Sequence, residues 1–305
     1  MKNESAQGHL CALVTILIWG TTFISTKVLL SDFQPVEILF LRFVLGFLAL
    51  LAACPRRLRL SDRRQEAVFA LAGLCGVCLY YLLENIALTY TLAANVSVII
   101  SVAPFFTALL TRLLSPGEVR LRPIFFAGFA LAMAGICLLS FSGGALALDP
   151  LGDLLALLAA LVWACYSVLS RRLAGYGYPT ILVTRRVFAY GILFMIPALF
   201  LLDFQPDLTR LAQPVVLGNL LFLGLGASAL CFVTWNLAVR HLGAVRTSVY
   251  IYLVPVITVV TSVLVLREPV TLRSAAGTLL TLAGLLVSEW RPAHRKGVEH
   301  HGGPL

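Results

Sequence analysis

The chain has 305 residues, of which 60% are apolar and 12% charged. Soluble domains carry ~45–50% apolar and ~25% charged residues, so this composition excludes a water-soluble enzyme and makes lipid the solvent for burial. The formal charge of +9 does not point to nucleic acid, because the 23 basic residues sit mostly in short loops and form no basic stripe with interleaved aromatics.

Polar residues 1–8 precede an apolar run that continues past Leu29 without a small-residue cleavage site, so it reads as a retained span and not a signal peptide. Ten apolar stretches follow in order, at roughly 9–30, 35–53, 67–90, 93–114, 121–141, 151–171, 179–202, 214–238, 244–266 and 272–290. Each is long enough to cross ~30 Å of hydrocarbon at ~1.5 Å per residue. Period-2 alternation is missing, which argues against a barrel. The expected fold class is therefore an all-α integral membrane protein with ten transmembrane helices. With the N-terminus inside, sixteen Lys and Arg residues fall on the cytoplasmic side, and three (Arg210, Arg267, Arg273) fall outside. That bias predicts both termini, including the tail 291–305, on the cytoplasmic side.

The seven cysteines are odd in number and lie in or beside apolar runs, which argues against a disulfide framework. They read as small buried hydrophobes. Cys75 and Cys78 form a CxxC inside an apolar helix, whereas redox chemistry of that motif needs a helix N-terminus after a strand. No metal site and no cofactor are expected. No GxxxxGK[ST] is present, so neither ATP hydrolysis by this chain nor an ATPase partner is implied. HExxH and GxSxG are also missing, and His300-His301 lie in a polar tail.

An internal repeat is the most informative feature. An offset of 144 superposes Gly8 on Gly152, Trp19 on Trp163, Pro35 on Pro179 and Arg42 on Arg186. An offset of 151 superposes Asn85-Ile86-Ala87 on Asn236-Leu237-Ala238 and Pro104 on Pro255. An offset of 149 superposes Gly128 on Gly277 and Gly135 on Gly284. The chain thus divides into five-helix halves, 9–141 and 151–290. Because five is odd, the second half enters the membrane from the opposite face, and inverted repeats of this kind place a substrate site near the midplane of secondary transporters.

The segments Leu17-Ile18-Trp19-Gly20, Asn85-Ile86-Ala87-Leu88 with Val102-Ala103-Pro104, and the loop Glu118 with its partner Arg267-Glu268-Pro269 resemble the EamA-type family of the drug/metabolite transporter superfamily, over about residues 9 to 290. The resemblance implies a 5+5 inverted arrangement, a central cavity lined by helices 1–4 and 6–9, and helices 5 and 10 as outer supports. The aromatic load of the cavity helices is most similar to bacterial YddG-type exporters of aromatic and other neutral amino acids. The implied function is export of such a small molecule across the bacterial cytoplasmic membrane by alternating access, without a cofactor. Other small metabolites or cationic drugs are the alternative cargo. An integral-membrane enzyme acting on a lipid would need convergent nucleophile, acid or metal groups, and the chain shows no such cluster.

Trp19 and Trp163 lie about ten and twelve residues into their helices, roughly 15–18 Å deep at ~1.5 Å per residue. Their related positions place two aromatic faces across a central cavity, as substrate contacts or as packing. Trp290, and Trp235 five residues before Arg240, are assigned to the interfacial belt. Tyr80, Tyr81, Glu84 and Asn85 form one polar and aromatic face through i, i+4 spacing. An intramembrane acid such as Glu84 is a functional hypothesis by default, as proton carrier or partner to a substrate ammonium. The other reading is a structural ion pair with Arg42, at similar depth. Arg186 and Arg185 lack an acid at the position equivalent to Glu84, since Trp235 stands there, and are expected to snorkel or to meet a substrate carboxylate, with a structural ion pair as the other role for Arg186. Asn95 and Ser101 on helix 4 and Tyr250 on helix 9 are further polar candidates for substrate, in stretches that also hold Ser97 and Tyr252. They precede Pro104 and Pro255, which each break one helical hydrogen bond and act as gates or as packing kinks. Glu118 and Glu268 are read as fixing interfacial geometry. Gly128, Ala132 and Gly135 on helix 5 support close packing, within or between protomers.

Overall fold

The computed structural model describes residues 2–115, 117, 121–140, 150–202, 204–205 and 207–288. Among them ten helices follow one another: α1 Lys2–Leu29, α2 Pro35–Ala53, α3 Gln65–Tyr90, α4 Ala93–Leu114, α5 Pro123–Ser140, α6 Pro150–Gly175, α7 Thr180–Leu201, α8 Pro214–Leu242, α9 Ala244–Leu266 and α10 Leu272–Ser288. Eight are long and apolar enough to cross a membrane, and Pro123–Leu138 and Leu272–Ser288 are shorter apolar helices. Proline opens α2, α5, α6 and α8, a position where its missing N–H costs nothing. Glu37 strengthens the start of α2, accepting at 2.8 Å from the Gln34 amide and at 3.0 Å from that of Gln205.

The structure revises some boundaries. The first helix starts at Lys2 and absorbs the polar leader, because nothing in Lys2–Gln7 breaks a helix. The eighth runs on to Leu242, where Gly243 takes a positive φ of 86° that only glycine adopts at no steric cost. Glu118, Arg120, Trp290 and the tail from Arg291, with His300-His301, lie outside the described residues.

Successive helices alternate in direction. The α1–α2 and α7–α8 connections meet on one face through Arg210 and Asp32 at 2.7 Å, and the α3–α4 and α9–α10 connections through Glu268 and the Ala93 amide at 2.9 Å. On the other face, where α1 begins, Ser61 bonds Tyr178, Arg240 bonds the Tyr178 carbonyl, and Gly8 packs on Leu242. The helix pairings are reciprocal: α1 packs on α8 and α9, α6 packs on α3 and α4, α2 on α8, and α7 on α3. Three further pairs, α2 with α7, α4 with α9 and α5 with α10, join related members.

The α5–α10 pair explains the small residues. A Cβ on Gly128 would come within 2.5 Å of the Gly284 carbonyl oxygen, and one on Gly135 within 2.5 Å of the Thr281 amide. The stripe Gly128, Ala132 and Gly135 therefore packs inside the chain, against α10. Large apolar side chains such as Leu17, Leu48, Leu193, Phe200, Leu264 and Leu279 cover the exterior, as lipid contact requires.

Two irregularities shape the interior. Both α3 and α8 contain wide π-helical turns, at Leu74–Leu79 and Phe222–Leu230, and the 151 offset superposes them. Such turns re-aim the side chains that follow. In α4 the helix breaks between Ile100 and Ala103, and in α9 it tightens over Val249–Leu253, each just before its proline. Pro104 and Pro255 thus open new segments, where the missing donor is tolerated.

Candidate functional site

The centre of the bundle is aromatic. Trp19 from α1 and Trp163 from α6 meet edge to face at 5.1 Å between ring centroids. Trp235 from α8 lies tilted against Trp19 at 5.0 Å between centroids, and Tyr80 from α3 is tilted against Trp163 at 4.7 Å. Phe232 lies 6.0 Å from Trp19 and 5.0 Å from Phe188. Edge-to-face pairs of this kind add ~0.5–1.5 kcal/mol each beyond their buried area. Trp19 donates from Nε1 to the Ala227 carbonyl at 3.0 Å, a carbonyl within the π-turn of α8. The Nε1 atoms of Trp163 and Trp235 are buried without a partner.

Beside these rings lies a cavity of about 30 Å³, lined in part by Trp19, Tyr80, Tyr81, Glu84 and Trp163. Such a volume is about the share of one water and far below the ~300 Å³ of small ligand pockets. The two tryptophans therefore touch, and do not stand across an open cavity as the repeat predicts. Glu84 is 1% exposed and its Oε1 has no partner.

Five of the residues singled out from sequence, Trp19, Trp163, Tyr80, Tyr81 and Glu84, share this cavity. Four do not. Asn85 turns to α2 and donates to the Pro35 carbonyl at 3.1 Å. Asn95 lines a separate cavity of about 250 Å³ with Glu268, Ser262 and Thr278. Ser101 donates to the Val98 carbonyl at 2.5 Å, satisfying the break in its own helix. Tyr250 bonds His9 at 2.6 Å through its hydroxyl.

The arginines separate likewise. Arg42 is fully buried but forms no ion pair with Glu84 or any other described carboxylate. Its Nε donates to Ser228 Oγ at 3.0 Å and its guanidinium carbon lies 4.4 Å from the Tyr81 ring centroid, a cation–π contact. Its two terminal nitrogens have no partner. Arg186 forms a structural ion pair, one of its expected roles, and does not snorkel: it pairs with Glu66, which also accepts from Tyr190 at 2.7 Å, and it donates to the Leu58 carbonyl at 3.1 Å. Arg185 donates to the Cys54 and Arg56 carbonyls.

Trp235 is the residue most clearly missed. It has no exposure and sits in the central cluster, not in an interfacial belt. The 151 offset to Glu84 carried its depth, but its distance from Arg240 misled, because α8 continues past that arginine. Its neighbour Asn236 accepts from Tyr166 at 2.9 Å and Ser170 at 2.7 Å, and donates to Thr184 at 3.0 Å.

The two ends of the bundle differ. On the face where α1 begins, a cavity of about 890 Å³ opens between the ends of α4, α6 and α8 and the start of α9, walled by Thr111, Ser115, Arg171, Leu242, Ala244 and Arg246 among others. On the other face the related helix ends are bonded to one another through Lys27 and Glu268.

The model of the EamA-like transporter family matches the chain twice, at residues 6–141 and 150–290. An uncharacterized transporter of Archaeoglobus fulgidus is 31% identical over 290 residues, covering 93% of this chain and 98% of its own. A protein of Streptantibioticus cattleyicolor named a probable terminal-alkyne amino-acid exporter is 27% identical, with 93% and 94% covered. A solved crystal structure at 24% identity shares the fold with a TM-score of 0.63, over 93% of this chain and 96% of that one.

Proposed function

From the premise that the chain belongs to the EamA-like transporter family, we propose that it exports amino acids, aromatic or large neutral ones, across the bacterial cytoplasmic membrane by alternating access. Both termini are cytoplasmic in this reading, and the halves 9–141 and 151–290 form the inverted pair. The reciprocal helix pairing and the paired π-turns support that arrangement.

The observation that carries the substrate class is the central cavity, an aromatic enclosure with one carboxylate whose Oε1 is unpartnered. A carboxylate at bilayer depth costs about 3 kcal/mol, which a substrate ammonium or a proton offsets. Aromatic rings offer the cargo's side chain stacking and apolar contact. The name of the Streptantibioticus relative agrees with an amino-acid cargo. The closed volume implies that the rings must part before an amino acid enters, which rocking of the halves provides. Trp19, Trp163, Tyr80, Tyr81 and Glu84 are the proposed contacts, and Pro104 and Pro255 the hinges.

The test is uptake and efflux of labelled phenylalanine in proteoliposomes, with and without a pH gradient. Wild type is expected to transport, Trp163→Ala to lose transport at unchanged protein level, and Glu84→Gln to lose gradient dependence. Transport of a cationic drug but not of phenylalanine would replace the amino acid by a cation, a reading that the unpaired Glu84 also favours.

A further inference from the structure

The face opposite the α1 N-terminus is closed by charged side chains that cap helix ends across the bundle. Lys27, near the end of α1, donates from Nζ to the last carbonyls of α3, Leu88 at 2.6 Å and Thr91 at 2.7 Å. An ammonium there also meets the negative end of the helix dipole. Glu268, from the α9–α10 turn, accepts from the first amides of α4, Ala93 at 2.9 Å and Ala94 at 3.3 Å, which complements the positive end of that helix. Its placement is built in: Arg267 before it is the one described non-glycine residue with positive φ, 55°, and the Glu268 amide bonds back to the Ser262 carbonyl at 3.3 Å. A left-handed non-glycine residue costs ~1–2 kcal/mol, so the turn holds a strained shape while aiming the carboxylate at α4.

The repeat offsets carry these positions to the other face. Adding 144 takes Lys27 to Arg171, and adding 151 takes Leu88, Thr91, Ala93 and Ala94 to Val239, Leu242, Ala244 and Val245. There the structure is open. Arg171, Leu242, Ala244 and Val245 stand on the wall of the 890 Å³ cavity, and Arg171 is exposed. A cation thus lies at the related position on each face, and among the described residues Lys27 is bonded to a helix end while Arg171 shows no such bond.

We propose that Lys27 and Glu268 lock the outer face of the transporter, and that Arg171 is the reciprocal inner lock, closing onto the Val239 and Leu242 carbonyls when the outer one opens. The inference rests on the alternating-access reading above. The locks set which face is open and touch no substrate.

Hydrogen exchange of the full chain in nanodiscs, without substrate, tests this separately from transport. In Lys27→Met and in Glu268→Ala, amides 92–96 are expected to exchange at least tenfold faster while amides 242–246 slow. Lys27→Arg, which keeps the donors, is expected to match wild type. Adding Arg171→Met to Lys27→Met is expected to leave both segments fast. Unchanged exchange at 92–96 would overturn the lock. A rise there without a fall at 242–246, or an equal rise at both, would reduce Lys27 and Glu268 to helix caps and overturn the reciprocity. A chain that moves no phenylalanine yet shows the opposed changes would retain the locks and lose only the substrate assignment.

Discussion

Helices α3 and α8 occupy related places and carry the same wide turn, yet they present different chemistry to the centre. After its π-turn α3 shows Tyr80, Tyr81 and Glu84, then Asn85. After its own, α8 shows Phe232, Trp235 and then Asn236. Both asparagines are buried and bond away from the cavity, Asn85 to the backbone of α2 and Asn236 to three hydroxyls of α6 and α7. The acid stands on one helix and an indole on the other. The same local backbone irregularity therefore carries a carboxylate at position 84 and an indole at position 235, and in the proposed function that difference gives the site two distinct ends.

The comparison breaks most severely at Asn236. Asn236→Leu leaves the Tyr166, Ser170 and Thr184 hydroxyls unpaired in the core, at ~1–3 kcal/mol each, so a fall in melting temperature large enough to lose folded protein is expected in a thermal-shift assay. Asn85→Leu, at the related position, removes the bond to the Pro35 carbonyl and is expected to cost about 1 kcal/mol. Equal losses in the two variants would mean that the helices are held alike.

Next in size is the site. Glu84→Gln keeps the shape of the side chain but not its charge, and is expected to abolish stimulation by a pH gradient while thermal stability changes little. Trp235→Phe keeps an aromatic wall and is expected to reduce transport only a fewfold. If Trp235→Phe is as harmful as Glu84→Gln, the difference between the helices is not one between coupling and packing.

Outside both helices, Gly135→Val forces α10 away from α5 and is expected to cost ~1–3 kcal/mol, read as lowered thermal stability. The smallest effect belongs to Arg210→Ala, which removes a partly exposed pair with Asp32 and is expected to shift stability by less than about 1 kcal/mol.

Much of this fold is legible in the sequence because spanning depends on local properties. Apolar length and charged loops place most helix ends within a few residues: Pro35 and Pro214 open helices where the apolar stretches begin, and Pro123 and Pro150 open theirs within two residues of the expected starts. The expectation that Trp19 and Trp163 lie deep in the bundle follows from counting residues, and the structure buries both at its centre. What counting cannot supply is the direction a side chain takes after a π-turn, which decides that Glu84 faces the cavity and Asn85 does not. Nor can it supply partners from remote helices. Depth alone matches Arg42 with Glu84, whereas packing gives Arg42 to Ser228 and Tyr81 and gives Arg186 to Glu66. Lys27 and Glu268 look like ordinary interfacial charges until α3 and α4 are brought beside them.

The most direct measurement uses the indoles themselves, since Trp19, Trp163 and Trp235 surround one point. Intrinsic tryptophan fluorescence of the purified chain in nanodiscs, titrated with phenylalanine, is expected to change saturably, and Glu84→Gln to weaken the apparent affinity at least tenfold. Fluorescence that stays flat across phenylalanine, tyrosine and leucine, while a cationic drug shifts it, would contradict the assignment of this site to amino acids.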